Sequence, residues 1–142
     1  MGAVEVAGSC VSSSFRGIST GLKHILIIDD EEIVRMSLCA VLEDSGYRVT
    51  TAEGREAGVQ TCLTDEVDLI FTDLQMPDND GVDVIHSLRE HAGNIDIVAM
   101  SGVGIEATSR IIGDVEDQTR LHPLAKPVRP DELLTLVRSL VG

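Results

Sequence analysis

Three short apolar runs constrain this chain most. Residues 25–28 (ILII), 67–73 (VDLIFTD) and 95–101 (IDIVAMS) are each about one strand long and rich in β-branched side chains. Each ends on, or is followed by, a polar side chain. Unbroken apolar character, rather than alternation, suits strands covered on both faces, as in a parallel sheet. Amphipathic stretches lie between the runs. Val34, Leu38, Val41 and Leu42 recur at helical spacing, and Gly46 is placed to end that helix. Residues 55–64 predict a second helix with Val59, Cys62 and Leu63 as its apolar side. Val82, Ile85 and Leu88 mark a third, and residues 105–112 a fourth. The last helix carries Pro130 near its first turn, Asp131 and Glu132 at its positive end, and a stripe of Leu133, Leu136, Val137 and Leu140.

Two weaker strands complete the pattern. Residues 47–50 alternate and suit an exposed edge, and residues 124–127 form a very short last strand. Residues 74–81 (LQMPDNDG) read as a loop from their Pro, Asn, Asp and Gly. The stretch GDVEDQTRLHP has no clear periodicity. Five strands alternating with five helices imply βαβ units, hence an α/β fold with a parallel sheet coated on both faces. In such folds sites gather at the carboxyl ends of the strands. Asp29–Asp30, Asp73, Ser101 and Lys126 all fall there.

Composition narrows the function. The 142 residues suit one domain, with residues 1–22 as a poorly ordered, Ser/Gly-containing extension and residues 23–142 as the folded unit. The net charge of −13 repels phosphate backbones, which argues against direct nucleic-acid binding. Cys10, Cys39 and Cys62 are odd in number and lack pairwise spacing, so neither a disulfide framework nor a zinc site is expected. A reducing, cytoplasmic setting fits. No apolar run is long enough to cross a membrane.

A single Asp after a strand often does no more than cap a helix, and a lone Ser or Lys there is usually unremarkable. Asp29, Asp30 and Asp73 converging on one sheet edge are harder to explain that way. Three carboxylates would repel one another unless a cation relieves them, and oxygen-only donors suit Mg²⁺. Lys126 is the only lysine after Lys23 and adds a compact positive charge. Ser101 adds a hydroxyl. Together these groups suit phosphoryl transfer to the Asp73 carboxylate.

On these residues the chain resembles the response-regulator receiver family. The resemblance runs from about residue 23 to 140, through ILIIDDEEIVR, DLIFTDLQMPDNDG, IVAMSG and LAKPVRPDELL. It implies a doubly wound, flavodoxin-like sheet of five parallel strands in the order 2-1-3-4-5. It implies Asp73 as phosphoacceptor, Ser101 and Lys126 as signalling residues, and a cis bond before Pro127. The implied Mg²⁺ ligands are Asp30, Asp73 and the Gln75 carbonyl, with Asp29 acting partly through water. The implied partners are a histidine kinase or histidine phosphotransfer protein and a separate effector protein. The chain would catalyse its own phosphorylation and dephosphorylation rather than act as a conventional enzyme. With no output domain after the last helix, it would signal by docking.

Two features depart from the family. Pro123 stands where a switch Tyr or Phe is usual, and the Gly-Ala pair ahead of it is missing. His122 is the nearest ring to that position. One rival reading is therefore a phosphorylation-independent binding or scaffold module. Another is a Mg²⁺-dependent phosphatase with an Asp nucleophile, but Asp29 and Asp30 are adjacent and no second aspartate follows either of them two residues on.

Overall fold

A computed structural model describes residues 7–9, 21–77, 79–113, 115 and 120–141. In chain order the elements are strands β1 (Ala7–Ser9) and β2 (His24–Ile28), helix α1 (Glu32–Asp44), β3 (Arg48–Ala52), α2 (Arg55–Thr64), β4 (Leu69–Asp73), β5 (Gln75–Met76) and β6 (Asn79–Asp80). There follow α3 (Gly81–Ala92), β7 (Asp96–Ser101), α4 (Ile105–Ile112), β8 (Leu121–Ala125) and α5 (Pro130–Val141).

The main sheet has the order β1-β3-β2-β4-β7-β8. Its five parallel strands, β3-β2-β4-β7-β8, follow the expected 2-1-3-4-5 order. Side chains alternate faces along a strand, and both faces are covered. Ile25, Ile27, Phe71, Val98 and Met100 pack beneath Leu38 and Leu42 of α1 and Leu133 and Val137 of α5. Leu26, Ile28, Ile70, Ile97 and Ala99 meet Ala57 of α2, Val84, Ile85 and Leu88 of α3, and Ile112 of α4. This double coverage is why the central strands read as unbroken apolar runs. Each fully buried Leu, Ile or Phe contributes about 1.5–3 kcal/mol, so the sheet centre dominates stability.

Several details differ from the sequence reading. Strand β3 is not an exposed edge, because β1 pairs antiparallel along its outer side, Ala7 opposite Ala52. Apart from β1 and residues 21–22, the expected extension lies outside the described residues. Residues 74–81 are more ordered than a plain loop: β5 and β6 form a two-stranded ribbon. Helix α2 has the expected bounds but buries Ala57, Gly58 and Thr61, while Leu63 is 59% exposed. The reason is Gly58, where any Cβ would collide with Ile28. Small residues let α2 lie on β2, and of the expected apolar side Val59 and Cys62 pack, partly buried, against the same core while Leu63 does not. Cys39 is buried in α1 and Cys62 is a free thiol, while Cys10 lies outside the described residues.

Candidate functional site

The sheet register assembles the site. Ile28 lies beside Ala52 and Thr72, Asp73 beside Met100, and Ser101 beside Ala125. Asp29, Asp73, Ser101 and Lys126 therefore emerge at one carboxyl edge, with Asp30 one residue on.

Asp29 is fully buried and held from every side. Its backbone N–H donates to Ala52 O (3.0 Å), and Arg35 donates to its carbonyl (2.8 Å). Its Oδ1 accepts from Glu31 N (2.9 Å), and its Oδ2 accepts from Lys126 Nζ (2.8 Å). Asp30 is exposed. It is not the helix cap: the α1 N-cap is Glu31, without a side-chain capping bond. Asp73 ends β4, 2% exposed, with Oδ1 accepting from Gln75 N (3.0 Å) and Oδ2 3.4 Å from Lys126 Nζ. Each of the three acids offers a carboxylate oxygen, and these lie within 4.8 Å of one another. That acidic cluster is compatible with metal coordination.

Lys126 follows β8, with a 16% exposed side chain, and the Lys126–Pro127 bond is cis as expected. Its ammonium reaches Asp29, Asp73 and, at 3.6 Å, Glu31, which the sequence reading had not singled out. Burial alone would lower the Lys126 pKa, but the hydrogen bonds and charges of Asp29 and Asp73 outweigh it and raise the value. Asp73 is pushed above the ordinary carboxylate value, first by burial and then by Asp29. The Gln75 amide and Lys126 oppose that shift without cancelling it.

Ser101 ends β7 and is fully buried. Its hydroxyl donates to Gln75 Oε1 (3.1 Å) and accepts from Val103 N (3.2 Å). The α4 N-cap is Gly104, so Ser101 does not cap that helix. Gln75 thus enters the site through its side chain as well as its backbone, which spacing alone did not show. Beside Lys126, Ile33, Val34 and Leu38 of α1 face Pro127 and Val128 across an open, mainly apolar cavity of about 460 Å³.

Pro123 and His122 lie on β8, at the end of the sheet order. Ile97 N donates to Arg120 O, and Lys126 N to Ser101 O, so the even-numbered residues turn their polar groups toward β7. Pro123 nitrogen therefore faces away from β7, where a missing N–H breaks no ladder bond. His122 Nε2 is bonded to Asp96 Oδ1 (3.0 Å), and Arg120 donates to Oδ2 of the same carboxylate (3.2 Å). Its ring is committed to the amino end of β7, opposite the acidic pocket.

A family model described as "Response regulator receiver domain" matches residues 25–138. The chain belongs to that receiver family. It is 33% identical over 122 residues to the transcriptional regulatory protein ResD of Bacillus subtilis, covering 86% of this chain and 49% of that protein. It is 39% identical over 69 residues to the KDP operon regulator KdpE of Escherichia coli, covering 49% and 31% respectively. This receiver therefore spans about half the length, or less, of the curated relatives it matches. Among solved structures, the Vibrio cholerae chemotaxis protein CheY4 shares the fold at TM-score 0.75 and 21% identity, covering 84% of this chain and 99% of that one. The Thermotoga maritima response regulator TrrA, described in complex with Mg(2+)-BeF, matches at TM-score 0.71 and 25% identity, covering 84% and 100%.

Proposed function

We propose that residues 23–142 form a receiver that accepts a phosphoryl group on Asp73 and passes the signal on by docking to a separate protein. The observation carrying this reading is the Asp73 carboxylate, clustered with Asp29 and Asp30 and 3.4 Å from the Lys126 ammonium. A carboxylate oxygen of Asp73 attacks phosphorus; the new O–P bond forms as the bond to the donor breaks, and the donor leaves with that electron pair. A histidine kinase or histidine phosphotransfer protein is the proposed donor. The apolar groove of Ile33, Val34, Leu38, Pro127 and Val128 offers such a partner a surface beside the nucleophile. Lys126 opposes negative charge on the transferring oxygens, and the Ser101 hydroxyl then turns toward the phosphoryl group.

The donor set fits Mg²⁺: three clustered carboxylates, hard oxygen ligands and one exposed acid open to water. Asp29, Asp30, Asp73 and the Gln75 backbone carbonyl would hold it. Bound there, it would supply charge neutralisation for the phosphoryl group. TrrA's complex with Mg(2+)-BeF supports this choice of ion. Among the described residues no helix is long and apolar enough to cross a membrane. We place the chain in the cytoplasm with its proposed kinase.

The test is incorporation of phosphate from a small-molecule phosphodonor with Mg²⁺. Wild type should form an acid-stable, base-labile acyl phosphate, and Asp73→Asn should not. Equal labelling of both proteins, or none of wild type, would refute the reading.

A further inference from the structure

A serine hydroxyl has one proton to donate. In this structure Ser101 gives it to Gln75 Oε1. The same oxygen accepts from Gly102 N at 2.9 Å. A backbone N–H can only donate, so the accepting atom must be the carboxamide oxygen, which fixes the orientation of the amide. Two donors occupy both lone-pair directions of that oxygen. Through its own backbone, Gln75 is tied to Asp73 Oδ1 and to Asp80 across the β5–β6 ribbon. One residue thus joins the strand end bearing the acceptor to the loop bearing Ser101.

Ser101 is fully buried, so water does not readily replace Gln75 as its acceptor. A Ser101 hydroxyl that turns to a phosphoryl oxygen on Asp73 must first leave Gln75. The two arrangements compete for one proton.

We infer that Gln75 is a positioning residue: its side-chain oxygen latches the Ser101–Gly102 loop in the unphosphorylated arrangement and sets the free energy that phosphorylation must overcome. The role in switching rests on Asp73 being the phosphoacceptor; the latch itself is a property of the unphosphorylated chain. Removing the latch biases the loop toward the phosphoryl group, since any loss of stabilisation in one state shifts the population to the other. Space is not the reason for the contact, because a Cβ on Gly102 would sit at an ordinary 3.6 Å from Gln75 Oε1.

The test uses Gln75→Met, which keeps length and removes the oxygen. In the metal-free, unphosphorylated chain, amide exchange at Gly102 should rise several-fold, while the sheet amides of β4 and β7 stay protected. Gln75→Glu, which retains an acceptor oxygen, should keep Gly102 protected. Titration with beryllofluoride and Mg²⁺ should then show Gln75→Met binding about two- to tenfold tighter than wild type, the size of one net hydrogen bond. In a Ser101→Ala background that gain should shrink. Unchanged Gly102 exchange in Gln75→Met, or the same affinity gain with and without the Ser101 hydroxyl, overturns the latch. The exchange measurement needs no phosphoryl analogue, so it decides the latch even if Asp73 takes up no phosphate.

Discussion

Lys126→Met should be the most costly single change at the site when no metal is present. Asp29 is fully buried, and its Oδ2 would lose a 2.8 Å charged donor. Asp73, 2% exposed, would lose the same neighbour. Deleting one partner of a buried ion pair costs about 3–5 kcal/mol, because the other charge stays behind unpaired. Two features favour the low end. The Lys126 side chain is 16% exposed, so water can enter in its place, and Asp29 Oδ1 keeps its bond from Glu31 N. A loss of about 3 kcal/mol is therefore expected, lowering a urea midpoint by roughly 1.5 M for a slope of about 2 kcal/mol/M. Equilibrium urea unfolding in EDTA, followed by circular dichroism, measures it. The cause can be isolated by adding Asp29→Asn, which removes the stranded charge and should recover at least half the loss. Mg²⁺ should also narrow the gap between Lys126→Met and wild type. A Lys126→Met midpoint within about 0.2 M of wild type would refute the argument. So would a double variant no more stable than Lys126→Met alone, since the cost would then not come from the unpaired carboxylate.

Two further outcomes concern groups away from the site. The buried His24 ring bonds the Glu66 carbonyl through Nδ1 (2.7 Å), which fixes the proton there, so neutral Nε2 accepts from Thr50 Oγ1 (2.8 Å). Burial holds its pKa below 6.5, so below that pH the unfolded chain takes up a proton that the folded chain refuses. The stability it contributes is full above about pH 6.5 and is lost as pH falls through the folded value. Urea midpoints from pH 7.5 to 5 should fall more steeply for wild type than for His24→Gln, and equal slopes would discard this account. Burial pushes the Cys62 thiol from 9.0 up to about 11. At pH 8 its alkylation, followed by peptide mass spectrometry, should run about 100-fold slower folded than in urea. A folded rate within a few-fold of the unfolded one would show that the thiolate is not suppressed.

Much of the fold was legible because the central strands are covered on both faces. Only that double coverage makes residues 25–28 and 97–100 apolar without a break, and it forces the polar ends of the runs to one edge. Asp29, Asp73, Ser101 and Lys126 follow directly. What stayed hidden depends on partners distant in sequence. Nothing in residues 47–50 announces that β1 will cover their outer edge, and nothing in α2 announces that Gly58, placed for closeness to Ile28, is buried more deeply than the apolar Val59 and Cys62 that pack beside it. Gln75 looked like a loop residue because its carboxamide acquires meaning only when β4 and β7 bring Ser101 and Gly102 beside it.

Pro123 shows the same limit from the other side. By family comparison it marks a missing aromatic ring, and the sequence suggests His122 as a stand-in. The strand parity assigns them different fates: Pro123 turns its nitrogen away from the ladder, and His122 is taken by Asp96 at the far end of the sheet. Neither supplies a ring that follows Ser101. In the reading we propose, a signal from Asp73 would pass through the Ser101 loop and its hold on Gln75, because β8 offers no such ring at Pro123.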